Sequence, residues 1–446
     1  MMATDVVAAI ATGNGRAAIG VVRLSGPQLA PFMCPLFGRE IAPRQATLTD
    51  FLDSDGLPLD RGIALFFPSP HSYTGEDVLE LQGHGGPAVL QLLLRRCLAV
   101  GARLAEPGEF SRRAFLNEKL DLAQAEAVAD LIEASSEAAV RAALLSLRGE
   151  FSQEIRSLVS DLTALRTQIE AAIDFPEEEV DSYPEAGRSV VLTQLRQKLD
   201  RTYARAAAGK VLRDRVQVVL IGPPNVGKSS LLNCLSEDEV AIVTPLPGTT
   251  RDLIRNEIVL DGVTLQLIDT AGLRVTQDPI EQMGIDCARR AVQDADLILL
   301  IEDVTQPRLM ERDWEFAQLP VGTRRIKVLN KIDLLVDQPY ERRASDEATI
   351  AVSAKTSEGL AQLRLAILSA AGRSPEIEGL FLARERHLEA LVRGDTHLQN
   401  AERVVTRLEL FAEELRLAQL ALSAITGKFT ADHLLGEIFS KFCIGK

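Results

Sequence analysis

At 446 residues the chain is long enough for about three domains, each with its own core. Hydrophobic residues make up 46% and charged residues 25%, as in ordinary globular proteins, and no run approaches the ~20 apolar residues of a membrane span. The net charge of −14 argues against a general nucleic-acid binder, so any RNA contact must be local or supplied by a partner. The five cysteines form no C-x-x-C pair, which argues against a zinc knuckle or a disulfide framework and suggests a reducing cytoplasm. Residues 1–13 lack the basic and apolar regions of a signal peptide.

Residues 1 to about 117 mix strand-like runs, Ala18–Leu24 and Val78–Leu81, with Gly/Pro-rich loops. Gly83-His84-Gly85-Gly86-Pro87 then opens an apolar helix from Ala88 to about Ala99. Residues 121–173 are almost free of Gly and Pro, with Leu158, Leu162, Leu165, Ile169 and Ile173 at steps of three and four. That pattern predicts a long amphipathic helical segment. Asp174-Phe175-Pro176 breaks it, Glu177-Glu178-Glu179 reads as a solvated loop, and a further helix is expected from about Glu185 to Ala208. An α/β pattern occupies about 211–372. After Arg373-Ser374-Pro375 the chain is helical to the end, with Gly427 stopping the helix that holds Glu413 to Ile425. The simplest account is a multidomain α/β plus all-α protein. One helical domain is interrupted by the α/β domain, and helices from 119–208 and 376–446 pack together to bury their stripes.

Within the α/β segment, Gly222-Pro223-Pro224-Asn225-Val226-Gly227-Lys228-Ser229 fits the phosphate-binding pattern G-x-x-x-x-G-K-[ST]. Such a loop turns its backbone N–H groups around a phosphate, and the following helix adds the positive end of its dipole. Val216–Ile221 reads as the strand entering it and Ser230–Asn233 as the helix leaving it. Lys228 suits the outer phosphates and Ser229 a Mg²⁺ ion. Asp269-Thr270-Ala271-Gly272 follows the apolar strand Leu265–Ile268; the carboxylate can hold a Mg²⁺-bound water, and Gly272 can offer its N–H to a γ-phosphate. Asn330-Lys331-Ile332-Asp333 follows the strand Ile326–Leu329. Asp333 can accept from the N1–H and 2-amino groups of guanine, and adenine lacks both donors. Ser353-Ala354-Lys355 follows Thr349–Val352 and can close over the base. Each motif sits at the carboxyl end of a strand, where open α/β sheets bind ligands. Together they resemble the G1, G3, G4 and G5 elements of the P-loop (Ras-like) GTPases.

In many small GTPases a Gln after D-x-x-G orients the attacking water; here that place holds Leu273. Either the domain hydrolyses GTP poorly or it positions water by another route. Glu281 and Asn225 are the polar candidates, and each also reads plainly, as a helix-start carboxylate and a turn residue.

Longer strings carry a resemblance over essentially the whole chain. They are Phe66-Phe67-Pro68 with Tyr73–Asp77, Leu81-Gln82-Gly83-His84-Gly85-Gly86-Pro87, Pro107–Phe110, Lys119–Glu126, Ala171–Pro176, Pro247–Asp252 and the terminal Phe442-Cys443-Ile444-Gly445-Lys446. The chain resembles the tRNA modification GTPase MnmE (TrmE) family. The resemblance implies an N-terminal tetrahydrofolate-binding-like and dimerisation domain over 1–118, helical parts over 119–210 and 374–446, and a GTPase domain over 211–373. It implies a cytoplasmic homodimer that binds a 5-formyl-tetrahydrofolate-like carrier through Arg23, Glu80, Lys119 and Lys446. By residue chemistry the cations suit the folate's carboxylate and Glu80 the pterin N–H groups.

The resemblance also implies K⁺ activation, with the two G domains pairing in the GTP transition state. Asn225 and the backbone carbonyls of Thr244, Leu246 and Thr249 are the implied K⁺ ligands, and Ser229 and Thr250 those of Mg²⁺. The nucleotide contacts extend over Val226, Gly227 and Ser230, over Pro245, Pro247 and Gly248, and over Thr270 and Ala271. Glu281 corresponds to the glutamate that orients the attacking water. Pro245 and Pro247 depart from the family pattern; neither needs an N–H if carbonyls do the ligating. The implied function joins GTP hydrolysis to addition of a carboxymethylaminomethyl or aminomethyl group at C5 of the tRNA wobble uridine. The implied partner is a flavoprotein of the MnmG (GidA) type, in a heterotetramer. Cys443 reads either as a catalytic thiol or as a small buried hydrophobe. Two other classes share these motifs: a ribosome-assembly GTPase switch, and a folate-dependent one-carbon transferase regulated by a G domain.

Overall fold

A computed structural model describes residues 5–13, 15–175, 185–237, 255–269, 290–305, 323–335, 349–372, 379–428 and 432–445. Two compact units emerge: Met1–Ala129 with Ser146–Leu195 and Val392–Lys446, and Asp130–Leu145 with Arg196–Leu391.

The first unit is built on β1 (Val7–Ile10), β2 (Ile19–Gly26), β3 (Thr47–Leu52), β4 (Pro58–Phe67), β5 (Asp77–His84) and β6 (Arg103–Leu104). They form one sheet in the order β3-β4-β5-β2-β1-β6, antiparallel except for β1–β6. Alternation along β2 and β5 sends Val22, Leu24, Leu79 and Leu81 into a core shared with Leu36 of α1 (Ala30–Phe37) and Leu90 and Leu93 of α2 (Pro87–Val100). Gly86 in extended conformation and Pro87 at the first helical position start α2, as expected. The same register sets Arg23 opposite Glu80.

Helices α3 (Glu109–Leu116), α4 (Leu122–Glu133), α5 (Glu137–Leu147), α6 (Glu150–Asp174) and α7 (Glu185–Arg213) follow. Segment 121–173 is therefore three helices, not one. Ser136 caps α5: its Oγ accepts from Ala139 N at 3.1 Å and donates to the Gly262 carbonyl at 2.6 Å. Gly149, left-handed at φ +87°, separates α5 from α6, and a Cβ there would lie 3.1 Å from Gln124 Nε2. The periodic stripe of α6 is real: Phe151, Ile155, Leu158, Leu162, Leu165 and Ile169 are buried. Residues 408–426 supply its partner helix, burying Phe411, Leu415, Ala418, Leu422 and Ile425 and ending at left-handed Gly427. Near the end, Leu435, Ile438, Phe439 and Phe442 pack with Leu122, Ala125 and Ala129. Gly445 fits against the Ile10 carbonyl, which a Cβ would meet at 2.3 Å.

The second unit holds β7 (Val216–Ile221), β8 (Arg255–Leu260), β9 (Val263–Asp269), β10 (Leu297–Asp303), β11 (Arg324–Asn330) and β12 (Thr349–Ala351). Their order is β12-β11-β10-β7-β9-β8, parallel except for the β8–β9 hairpin. The central strands β7 and β10 read as nearly continuous apolar runs because both faces are covered. One face packs Val218, Leu220 and Leu299 against Leu231 of α8 (Lys228–Glu237) and Leu363 of α9 (Leu360–Ala370). The other packs Val219, Ile268 and Ile298 against Ala291 and Val292. Ala142, Ala143 and Leu212 join the first of these cores. Among the described residues, no helix is long and apolar enough to cross a membrane.

Candidate functional site

β7 ends the chain's approach to the sheet switch point, where its neighbours β9 and β10 lie on opposite sides. The phosphate-binding loop follows. Gly222 runs so close to β10 that a Cβ would sit 2.3 Å from the Ile301 carbonyl. Asn225 and Gly227 are left-handed, at φ +66° and +92°, and a Cβ on Gly227 would meet Asn330 Nδ2 at 2.4 Å. Val226 is buried, while Ser229 and Ser230 are exposed in the first turn of α8. Lys228 is 5% exposed, and its ammonium donates to the Gly222 and Pro223 carbonyls, the latter at 2.9 Å. The charge lies within the loop, where a phosphate oxygen can replace those carbonyls.

β11 and β12 bring the two base-recognition motifs to the same rim. Asn330 is 1% exposed. Its Nδ2 donates to the Val226 carbonyl at 2.8 Å, while its Oδ1 accepts from Lys331 N at 2.8 Å and Ala354 N at 3.1 Å. One amide thus joins the P-loop, its own loop and the Ser353-Ala354-Lys355 loop. Buried Ser353 donates through Oγ to Asp333 Oδ1 at 2.6 Å and accepts from Lys355 N and Thr356 N. Asp333 is half-buried, its carboxylate oriented by that hydroxyl. Lys355 is exposed. Lys331, left-handed at φ +67°, donates to the Asn225 carbonyl and to Asp303 Oδ2, both at 2.7 Å.

Asp303, at the end of β10, belongs to none of the sequence motifs. An acidic residue ending a buried strand next to the N-K-x-D strand is the signal that could have found it. Burial pushes its carboxyl up, but the Lys331 ammonium and the Thr305 hydroxyl and N–H outweigh burial and hold it below the ordinary carboxylate value.

Asp269 ends β9 opposite Leu220, beside the strand that feeds the P-loop. Thr244, Pro245, Leu246, Pro247, Gly248, Thr249, Thr250, Thr270, Ala271, Gly272, Leu273, Glu281 and Lys446 lie outside the described residues.

In the first unit, Arg23 and Glu80 face each other across β2 and β5, Arg23 Nε donating to Glu80 Oε1 at 2.9 Å. Gln82 Nε2 donates to the other Glu80 oxygen at 3.1 Å. The guanidinium lies 5.7 and 5.8 Å from the ring centres of Tyr73 and Phe110. Burial pushes the Tyr73 phenol up, and its oxygen shares a 2.8 Å hydrogen bond with Ser111. Lys119 donates to the Pro70 carbonyl at 3.1 Å and packs under Gly75. The loop from Pro68 to Glu76 therefore touches both Arg23 and Lys119. The two aromatic rings and Gln82 were not singled out from sequence as site residues. Beside them Arg113, 3% exposed, is held by Glu76, Glu109 and Asp5. Cys443 is exposed, so it is not the buried hydrophobe that was one expectation. Its carbonyl accepts from Gly108 N because the last residues pair with Pro107.

The strand order and the three loops joined through Asn330 define the α/β unit as a P-loop GTPase, a GTP hydrolase. Comparison with known proteins places the whole chain. Residues 122–443 match the family model of the MnmE helical domain, and residues 6–119 that of the GTP-binding protein TrmE N-terminus. The tRNA modification GTPase MnmE of Chromobacterium violaceum is 52% identical over 441 residues, covering 99% of this chain and 98% of the relative. That of Nitrosomonas europaea is 53% identical over 451 residues, covering 100% of both. The chain belongs to the MnmE (TrmE) family of tRNA modification GTPases. The solved G domain of the T. maritima FeoB iron transporter is 28% identical, covering 35% of this chain and 99% of its own. The TM-score between the two is 0.27.

Proposed function

We propose that this protein is a K⁺-dependent GTPase. With a flavoprotein of the MnmG (GidA) type, it installs a carboxymethylaminomethyl or aminomethyl group at C5 of the wobble uridine of certain tRNAs. The observation that carries the reading is its likeness, from end to end, to proteins named for GTPase activity in tRNA modification.

At the nucleotide, Asp333 accepts from N1–H and the 2-amino group of guanine, with Ser353 fixing its carboxylate and Asn330 fixing both loops around it. Lys228 exchanges the Gly222 and Pro223 carbonyls for phosphate oxygens. Ser229, exposed beside Lys228 at the helix start, fits a Mg²⁺ ligand, with Thr250 as its partner. Asn225 is exposed, Lys331 holds its backbone carbonyl, and its side-chain amide oxygen suits a hard cation. With the carbonyls of Thr244, Leu246 and Thr249 it holds K⁺, which supplies positive charge against the phosphates. Glu281 orients the attacking water in place of the glutamine that Leu273 replaces.

Arg23, Glu80 and Lys119, with Lys446, hold a one-carbon tetrahydrofolate. A sheet face with two rings and paired charges fits a flat heteroaromatic ring carrying N–H donors and a carboxylate. The active form is a homodimer through the N-terminal domain, whose G domains pair during hydrolysis.

Steady-state GTP turnover in K⁺ against Na⁺ tests this. K⁺ is expected to accelerate hydrolysis, and Glu281→Ala to abolish the acceleration while GDP affinity stays within twofold. Equal rates in the two salts, or full turnover by Glu281→Ala, would sink the cation-and-glutamate assignment.

A further inference from the structure

We propose that Asp303, outside the four nucleotide motifs, is a positioning residue of the site. By holding the Lys331 ammonium against the Asn225 carbonyl, it fixes the P-loop relative to the N-K-x-D loop and so sets guanine-nucleotide affinity. The proposal rests on the nucleotide-site reading above and deepens it.

Asp303 is the last residue of β10, in register with Asn330 of β11. Its carboxylate is engaged at both oxygens. Oδ1 accepts from Thr305 N at 2.9 Å and Thr305 Oγ1 at 2.6 Å, and Oδ2 accepts from Lys331 Nζ at 2.7 Å. Val304 N donates to the Asn330 carbonyl at 3.0 Å, tying the segment to the neighbouring strand end. The carboxylate is thus rigidly placed, 15% exposed, before it meets the lysine.

The ammonium then reaches the Asn225 carbonyl. Two non-glycine residues in the left-handed region, Lys331 and Asn225, are joined by this one side chain. Backbone of that kind persists where its surroundings over-determine it. Asn330 ties the same two loops independently, through the Val226 carbonyl. The site therefore has two struts between its phosphate-binding and base-binding parts, a neutral amide and a charged pair. A charge-assisted hydrogen bond is roughly twice as strong as a neutral one, so removing the pair loosens the site substantially. Among the described residues both struts join the P-loop to the end of the N-K-x-D strand, so in K⁺-free buffer GDP and GTP should respond alike.

The test uses the full chain in K⁺-free buffer, with a fluorescent GDP analogue as probe and thermal unfolding measured in parallel. Asp303→Ala is expected to raise the dissociation constant about tenfold, equally for GDP and a non-hydrolysable GTP analogue. Asp303→Asn, which keeps the shape and an acceptor, is expected to raise it about threefold. In a Lys331→Met background, Asp303→Asn should change affinity less than twofold, because the pair acts as a unit. Additive effects of the two substitutions, or wild-type affinity in both Asp303 variants, overturn the proposal. If Asp303→Ala does not fold, Asp303→Asn and the double variant still decide. Asp333→Asn serves as a control: wild-type GDP affinity in that variant means the nucleotide-site reading has failed, rather than the role of Asp303.

Discussion

Asn330→Ala is the sharpest perturbation of the nucleotide site. The side chain is buried and makes three hydrogen bonds, to Val226 O, from Lys331 N and from Ala354 N. At about 1 kcal/mol net for each, the change should destabilise the G-domain unit by about 3 kcal/mol. The three groups left behind are backbone groups near the rim, so water recovers part of that loss. The P-loop and the Ser353 loop also lose their common tie, and a nucleotide must re-order them on binding. If that cost falls wholly on binding, about 3 kcal/mol corresponds to roughly a hundredfold weaker affinity. Urea unfolding reads the first number and titration with a fluorescent GDP analogue the second. A loss of less than about 0.5 kcal/mol together with affinity within twofold of wild type would refute the view that this amide organises the site.

Asp333→Asn turns the acceptor facing the guanine 2-amino group into a group that can donate to the carbonyl xanthine carries there, so preference should move from GTP to XTP; competition binding checks this, and unaltered GTP preference counts against it. Glu109 accepts from Arg103, Arg113 and Glu106 N. Burial raises its carboxyl pKa, but these partners outweigh burial and hold it below the ordinary 4.5. The unfolded chain therefore takes up the proton first. The stabilisation is complete above about pH 4.5 and is lost as pH falls through the lower folded value. Glu109→Gln should flatten the acid dependence of unfolding of the N-terminal unit. An unchanged pH profile in that variant would show that the carboxylate carries no such linkage.

The nucleotide motifs were legible because each is a local string at the end of an apolar run. The strands at 216–221, 263–269, 324–330 and 349–351 stand where those runs predict them. Gly427 was legible for the same local reason, as a residue suited to a left-handed helix end. The breaks within 121–173 were hidden because alanine and leucine periodicity continues through them. What interrupts the helix is the Ser136 cap, partnered by the distant Gly262 carbonyl, and the single Gly149. The helix expected to stop near Ala208 continues to Arg213, where Arg213 meets Asp130 and Asp214. Non-local pairing decided the remaining surprises. Neither the Arg23–Glu80 ion pair nor the Asp303–Lys331 pair follows from spacing along the chain, since strand register and strand order create both. Exposure of Cys443 likewise depends on how the last residues return to Pro107.

Whether GTP hydrolysis by this protein serves tRNA wobble modification is read by mass spectrometry of tRNA nucleosides. The strain to use lacks this protein and is complemented with the wild-type chain or with Lys228→Ala. The C5-substituted wobble uridines should be lost in the deletion, return with the wild-type chain, and stay absent with Lys228→Ala. A nucleoside profile unchanged by the deletion would contradict that role.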